Sequence, residues 1–351
     1  MKYFLITIIL ICGSCNRDTS YSHQVELPAV SDTLIASVNL FDDDIANIHD
    51  MLNVCDRYLV LVDKVKSPYF RVFDSNSGKE LYKWGEKGDG PNEFNDFPFY
   101  GILNNYDFND CRLEVFSSPL GQVLTYIVND STLVEVDKFK VDYNNRKTFF
   151  NHINYIHDGM YSILYDMDTK NKRHLMISRY SLEPLFAFGN FDNIEEGKNL
   201  RDTAERQVLE QKYSKLNMVS RDRKLFFSFN QKQNVLDIYH THDGSVVKNV
   251  SIIDNYFPVE NHDRKDVLFR ALIFTGADKV YAIGMYNEIE KLLDIGLDNV
   301  TAYLEEWNLD GTPSRRFLID KPFEKAVVIG DKLYGFSSTY GNQYYVYTIP
   351  N

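Results

Sequence analysis

Large apolar residues alternate with polar ones in short runs over most of the chain, and one such pattern recurs. A turn containing Asp, Asn or Gly, often with a basic residue, precedes each run. Alternation with a period of two places the apolar side chains on one face of a β-strand. Copies begin roughly 50 to 60 residues apart, near the spacing of propeller blades. The copies are Asp56–Val62, Asn109–Phe116, Asp158–Leu164, Arg221–Phe229, Gly276–Ile283 and Gly330–Phe336.

Other strand-like runs flank each copy, so that a unit holds about four short strands. Four antiparallel strands per repeat are typical of a β-propeller blade. The last repeat lacks a final strand because the sequence ends at Asn351, whereas the run Thr33–Leu40 has no repeat of its own. We therefore predict an all-β fold, a six-bladed β-propeller closed by this N-terminal strand, which would protect two sheet edges.

Two other architectures fit the pattern less well than the propeller. Helical patterns are few, at Asp202–Lys212 and Asn287–Leu293, whereas a parallel α/β fold needs a helix after most strands. A pair of β-sandwiches would also contain many strands, but it would not repeat one motif at even spacing. The sandwich remains the alternative.

The first residues have the pattern of an export signal. Lys2 precedes an apolar run from Phe4 to Cys12, which is too short to span a bilayer, and Gly13, Ser14 and Cys15 follow. This ending resembles a bacterial lipobox, which implies cleavage before Cys15 and lipidation of its thiol. We predict a signal peptide over residues 1–14, a linker over 15–30 and the propeller over 31–351, held on a membrane surface by acyl chains.

Two further cysteines, Cys55 and Cys111, lie within apolar, strand-like runs. We interpret them as buried, unpaired thiols that act as small hydrophobic residues. Export would permit a disulfide between them, and that alternative stays open.

The composition limits the classes of partner. The chain of 351 residues carries a formal net charge of −12 and has no long basic run, which argues against binding to a nucleic acid. Its 24 Tyr and 24 Phe favour strands.

One segment indicates a family. Residues 84–94, with the sequence WGEKGDGPNEF, resemble the G-x-x-G-x-G-P-x-E-F segment of six-bladed propeller lipoproteins common in Bacteroidetes, described as TolB-like or NHL-like. The resemblance implies a fold and a place in the cell envelope. It implies little chemistry, because most members have no assigned activity.

The same segment contains the candidate ligand-binding residues, Asp89 and Glu93. A phosphate-binding loop would continue into a helix, usually with Lys and then Ser or Thr, but here Pro91 follows Gly90. We favour a tight connection between blades, with glycines at positive φ and Phe94 packed between blades. If the loop binds a ligand, Asp89 and Glu93 are its polar contacts.

Two other polar clusters contain residue types that bind metals. His240 and His242 would share one face of a strand, but we favour a solvated strand end. Asp42, Asp43 and Asp44 lack the spacing of a calcium loop, so we interpret them as an exposed acidic turn. We predict no cofactor, no metal and no catalytic residue.

Two functional hypotheses remain. The first is a binding module for a peptide, glycan or protein partner, anchored in the outer membrane and facing the periplasm. The alternative is a metal-assisted hydrolase or lyase with its site in the central channel, which rests on analogy with other propellers. We favour the binding module over an enzyme because no catalytic motif occurs in the sequence.

Overall fold

In the residues that the computed structural model describes, the regular structure consists of β-strands joined by turns. No helix in the described ranges is long and apolar enough to cross a membrane. The structure describes residues 23–41, 48–90, 93–94, 101–103, 111–117, 122–140, 153–155, 160–164, 172–178, 181, 183–190, 215–255, 267–288, 300–321, 323–337 and 343–351.

The strands are numbered along the chain, and most belong to sheets of consecutive strands. The N-terminal strands are β1 (His23–Glu26), β2 (Asp32–Leu34) and β3 (Ser37–Leu40). Sheet 1 contains β4 (Ile48–Val54), β5 (Tyr58–Asp63), β6 (Phe70–Asp74) and β7 (Glu80–Trp84), and a short ribbon of β8 (Glu86–Lys87) and β9 (Glu93–Phe94) follows. Sheet 2 contains β10 (Gly101–Leu103), β11 (Arg112–Ser117), β12 (Gln122–Val128) and β13 (Leu133–Lys140). Sheet 3 contains β14 (Ile153–Tyr155), β15 (Met160–Leu164), β16 (Lys172–Ser178) and β17 (Pro184–Asn190).

The second half of the chain continues the pattern. Sheet 4 contains β18 (Lys215–Val219), β19 (Leu225–Asn230), β20 (Val235–His240) and β21 (Val246–Ile253). Sheet 5 contains β22 (Val267–Thr275), β23 (Lys279–Glu288), β24 (Ala302–Asn308) and β25 (Pro313–Ile319). Sheet 6 contains β26 (Lys325–Ile329), β27 (Lys332–Phe336) and β28 (Gln343–Thr348), with β3 at its edge.

The sheets follow one another around a central channel. Successive first strands contact each other from β10 through β14, β18, β22 and β26 to β4, and apolar clusters fill the spaces between neighbouring sheets. This arrangement confirms the prediction of an all-β propeller.

The blade count differs from the prediction. Sheets 1 to 5 are complete blades of four consecutive strands, so the structure supports five such blades and not the predicted six. The last repeat contributes only three strands of its own, and its fourth strand, β3, comes from the other end of the chain, pairing antiparallel with β28.

The N-terminal segment does more than the sequence predicted. Of the predicted closing strand Thr33–Leu40, only residues 37–40, which form β3, join the last sheet. Strand β2 pairs in parallel with β25, and β1 pairs in parallel with β21. Residues 23–26, which belong to the predicted linker, form β1. Each pairing covers the outer edge of a sheet that would otherwise expose unpaired backbone groups.

The recurrent sequence motif corresponds to one element of every sheet. Its turn joins the first strand to the second, and its apolar run is the second strand, as in β5, β19 and β27. The helix predicted from Asn287 is wrong at its start, because Asn287 and Glu288 end β23. The predicted helix at 202–212 lies outside the described residues.

The interpretation of the two cysteines as unpaired thiols is wrong. Cys55 and Cys111 form a disulfide with a Cα–Cα distance of 4.8 Å. Both residues lie in the turn before a second strand, Cys55 in sheet 1 and Cys111 in sheet 2, and both have φ near +50°. Their equivalent positions in neighbouring sheets bring them together, which their separation of 56 residues does not reveal.

Candidate functional site

The propeller has two faces that differ in their connections. We define the turn face as the side where the first strand of each sheet turns into the second, as at residues 55–57 between β4 and β5. The loop face is the opposite side, where second strands lead into third strands and each sheet leads to the next. Both faces surround an end of the channel.

An ion pair joins two sheets across the turn face. Asp56 follows β4 in sheet 1, and Arg221 follows β18 in sheet 4, three sheets away around the ring in chain order. Their Oδ2 and Nη2 atoms are 2.5 Å apart. Because the two turns approach from opposite sides of the ring, this ion pair crosses the end of the channel.

The Asp56 turn is held in place by further bonds. Asn53 Oδ1 accepts the backbone N–H of Asp56 at 2.9 Å, and Asn53 Nδ2 donates to the carbonyl of Val328 in sheet 6 at 2.9 Å. The disulfide at Cys55 ties the same turn to sheet 2. The turn face is therefore bonded between sheets 1, 2, 4 and 6.

On the loop face, a β-bulge shapes the start of β4. Ile48 pairs with Asp63 and Asp50 pairs with Val62, so His49 has no residue opposite it. Adjacent strand residues normally point to opposite faces, but a bulge re-aims a side chain. Here the His49 Nδ1 atom lies 3.0 Å from Asp50 Oδ2.

A lysine from the next connection completes this arrangement. Lys64 directly follows β5, and its Nζ atom lies 2.7 Å from His49 Nε2. An ammonium only donates, so His49 accepts at Nε2 and donates from Nδ1 to Asp50. Burial lowers the pKa of Lys64, and the Lys325 ammonium lowers it further, while Asp50 opposes both effects. We name Lys64, His49, Asp50 and Lys325 the lysine–histidine cluster.

The glycine-rich segment also lies on the loop face, after β7. Glu93 Oε2 accepts the backbone N–H of Gly90 at 2.9 Å, and the Glu93 N–H donates to the Gly90 carbonyl at 3.0 Å. A Cβ at Gly88 would lie 2.0 Å from Glu93 Oε2. The glycines therefore leave room for the carboxylate that closes the loop.

This geometry gives the motif a structural role. Gly85 has φ +80°, as expected for a tight connection. The Phe94 ring lies 5.6 Å from that of Trp84 and 6.5 Å from that of Tyr69. Asp89 is in the same loop. Ligand binding by Asp89 and Glu93 stays a prediction. The Glu93 carboxylate already accepts a hydrogen bond within the loop.

The remaining predicted sites are partly described. Cys15 and the acidic residues Asp42 to Asp44 lie outside the described residues. His240 ends β20 on the turn face, its ring 5.3 Å from that of His242, and His242 Nε2 lies 3.3 Å from Asp243 Oδ2. Among the described residues, no group of three or more metal-ligating side chains lies together.

Sequence reasoning missed the lysine–histidine cluster. Its members come from the start of β4, the end of β5 and the start of β26. These ends meet only because first strands line the channel and strand direction places all three at the loop face. The local signal in the sequence is the adjacent pair His49 and Asp50. Without the bulge, adjacent side chains would point to opposite faces of the strand, so this pair alone does not predict a contact.

Comparison with known proteins supports the fold. No protein-family model matches the chain, and no curated protein matches it in sequence. A crystal structure of a Bacteroides fragilis protein named as exported is similar, with a TM-score of 0.52, 12% identity and coverage of 94% of this chain and 99% of that one. A DUF4221 family member from Bacteroides vulgatus has a TM-score of 0.55 at 12% identity, covering 90% of this chain and 97% of that one. At such low identity, these similarities establish a shared fold and no more.

Proposed function

We propose that the protein is an exported propeller that binds a peptide, glycan or protein partner through its loop face. The observation that carries the proposal is the Asp56–Arg221 ion pair, which bridges opposite turns across the turn face. Because this ion pair lies across the turn-face end of the channel, a partner that enters the channel approaches from the loop face. Loops on a rigid scaffold are common binding sites.

Two observations support export. The Cys55–Cys111 disulfide belongs to the kind of bond that persists in oxidising compartments outside the cytoplasm. One structurally similar protein, from Bacteroides fragilis, is named as exported. We extend the proposal to a lipid anchor at Cys15 in the outer membrane, facing the periplasm, as in the Bacteroidetes lipoproteins that the glycine-rich segment resembles.

The scaffold of this proposal is a propeller whose last sheet joins the two ends of the described chain. Sheet 6 has four strands when β3 is included, and β26 contacts β4 of sheet 1. In this proposal, β3 closes the ring by supplying the outer strand of sheet 6. Joining the two ends of the chain in one blade would make closure depend on residues 37–40.

A screen of the mature, detergent-solubilised chain on glycan and peptide arrays tests the binding function. We expect a defined set of ligands, whose binding is weakened by substitutions on the loop face and unchanged by substitutions on the turn face. Absence of any specific ligand from a folded sample would contradict the proposal. Turnover of esters, lactones or glycosides, dependent on added Ca²⁺ or Zn²⁺, would instead support a metal-assisted hydrolase or lyase.

A further inference from the structure

We propose that the outer strands of sheets 2, 3 and 4 lie against a lipid bilayer at their turn-face ends when the protein is anchored, so that the loop face points away from the membrane. This orientation rests on the lipid anchor at Cys15, which is part of the proposed function. It follows from a repeated bulge in the outer strands, from the exposed residues at these bulges and from the position of β1.

The fourth, outer strands of sheets 1 to 5 share one irregularity. Each begins at the turn face, because the turn from the third to the fourth strand lies there. In the half of the strand that starts at this turn, each outer strand has one extra residue between two successive pairs with the third strand. The extra residues are Leu81, Val136, Leu185, Val247 and Ser314. Such a bulge re-aims the side chain that it carries.

In sheets 2, 3 and 4, the extra residue is apolar and exposed. Two further exposed valines lie close to these bulges in β13 and β21. We name this set the apolar rim, and its side chains are all between 40% and 56% exposed: Val134, Val136, Leu185, Val246 and Val247.

The fold does not require exposed apolar residues at these bulges. In sheet 5 the equivalent residue is Ser314, whose hydroxyl donates to the Glu306 carboxylate at 2.5 Å. In sheet 1 it is Leu81, which packs against the apolar cluster between sheets 1 and 2. Exposed apolar side chains at equivalent positions of three successive sheets therefore indicate a surface that meets an apolar partner.

Two sheets of the apolar rim are in direct contact. The turn that leads into Val246 lies against β17 of sheet 3, since a Cβ at Gly244 would be 2.4 Å from the Phe188 Cβ atom and 3.1 Å from the Phe186 ring. The rim is therefore continuous from the outer strand of sheet 3 to the turn-face end of sheet 4.

The N-terminal segment joins the propeller beside this rim. β1 pairs with β21 from Val250 onwards, three residues after Val247. The pairing is parallel, so β1 runs from the turn face towards the loop face, and its N-terminal end at His23 is directed at the turn face. The eight residues from Cys15 to position 22 can span at most about 28 Å. A lipid at Cys15 would therefore hold the bilayer close to the outer strand of sheet 4.

The chemistry of the rim fits neutral lipid. Apolar side chains that enter the boundary between headgroups and acyl chains add to the affinity of an acyl anchor. The formal net charge of −12 argues against attraction to anionic headgroups. Phosphatidylcholine is therefore the surface used in the test.

Fluorescence quenching from within the bilayer tests this orientation. The mature, lipidated chain is placed in phosphatidylcholine vesicles that carry a nitroxide on the upper part of the acyl chain, and one fluorophore is attached to L185C, L40C or V65C. Cys55 and Cys111 form a disulfide, so the introduced thiol is the reactive one. We expect quenching to be several-fold stronger at position 185 than at position 40 or 65.

The two reference positions are exposed aliphatic residues in other places. Leu40 is 66% exposed at the loop-face end of the outer strand of sheet 6, and Val65 is 74% exposed on the loop face. A second comparison keeps the label at position 185 and changes the rim around it. We expect V136D/V247D to reduce the quenching of this label, whereas V65D leaves it unchanged.

Equal or stronger quenching at position 40 or 65 would overturn the inference. Shielding of the label at position 185 from iodide, without quenching by the lipid nitroxide, would also overturn it and would assign the rim to a second copy or to a protein partner. A chain that does not associate with the vesicles would remove the lipid anchor and this orientation together. The array screen decides ligand binding independently of all these results.

Discussion

The boundaries between sheets are stabilised in two different ways. Between sheets 1 and 2, the Cys55–Cys111 disulfide accompanies an apolar cluster in which the Trp84 ring lies 5.0 Å from that of Tyr126. Between sheets 4 and 5, the fully buried Arg270 bonds to Glu305 at 2.8 Å and to Asn234 of sheet 4 at 2.8 Å. Both boundaries contain an apolar cluster. We call the first, which adds a disulfide, the covalent boundary and the second, which adds a buried ion pair, the polar boundary.

This difference has a consequence for the candidate site. The disulfide fixes the turn at the end of β4, the strand whose other end carries His49 and Asp50. A binding site works best on elements that are already held in place. The polar boundary lies away from the site, and its buried ion pair specifies one arrangement at a desolvation cost.

The largest effect is expected at the polar boundary. Arg270→Met leaves the Glu305 carboxylate buried without its guanidinium partner, and Glu305 has no exposed side-chain surface. Removing one partner of a buried pair typically costs about 3–5 kcal/mol. We expect a loss near the upper end of this range in urea unfolding, because Asn234 loses a partner as well.

A second variant separates charge from packing. Replacing both charges in R270M/E305L removes the stranded carboxylate, so part of the stability should return. A double variant as unstable as R270M would assign the loss to other contacts. These are the contacts of Arg270 with Phe229 and Trp307, whose ring centres are 5.1 and 5.6 Å away, and the hydrogen bonds that Tyr286 and Trp307 donate to Glu305.

Removal of the disulfide at the covalent boundary is expected to have the next largest effect on the free energy of unfolding. Replacing both Cys55 and Cys111 by alanine removes a cross-link that closes a loop with a sequence separation of 56 residues. Loop-closure entropy predicts a loss of about 4 kcal/mol in the free energy of unfolding. Mass spectrometry of the unreduced wild type provides the control, and two free thiols at these positions would refute the disulfide.

The boundary between sheets 3 and 4 should make stability depend on pH. Burial, Lys215 and Arg173 hold the pKa of His174 well below its usual value, although Asp237 opposes them. The unfolded chain takes up a proton as the pH falls through about 6.5 while the folded state does not, so stability decreases by up to about 1.4 kcal/mol per pH unit below that value.

H174F tests this assignment, since phenylalanine cannot bind a proton and the His174 ring already lies among the rings of Phe188, Phe226 and Tyr239. The variant should lose stability less steeply between pH 6.5 and 5 than the wild type. Identical slopes in urea titrations would assign the pH dependence to other groups.

The smallest effect is expected for the ion pair across the turn face. Arg221 and Asp56 have 28% and 29% of their side chains exposed, so solvent weakens their attraction. We expect R221M to destabilise the protein by about 1 kcal/mol or less. K224M in the same turn is the matched control and should change stability by less than about 0.5 kcal/mol. A larger loss for K224M would contradict this ranking.

The sequence predicted the propeller because its repeated turns use local chemistry. Asp, Asn and Gly adopt the conformations that a turn requires, and Asp56 and Gly330 indeed have positive φ. The alternating apolar residues that follow predict the second strands, such as β5, β19 and β27. Such local signals do not depend on the rest of the fold, so the sequence alone reveals them.

Features that depend on the ring as a whole escaped prediction. The strand β1 is only four residues long and mostly exposed, so no apolar pattern marks it; its pairing with β21 depends on where sheet 4 lies. The Cys55–Cys111 bond and the lysine–histidine cluster likewise join segments that only the circular arrangement brings together. The bulge at His49 is a property of register, which hydrophobic periodicity does not encode.

Selective obstruction of the two faces tests the central claim, that ligands approach from the loop face. A bulky polyethylene glycol maleimide is attached either to V65C on the loop face, where Val65 is 74% exposed, or to K224C on the turn face. Binding of a ligand identified on the glycan and peptide arrays is then measured. We expect the polymer to abolish or weaken binding only at position 65. Loss of binding only at position 224 would contradict it.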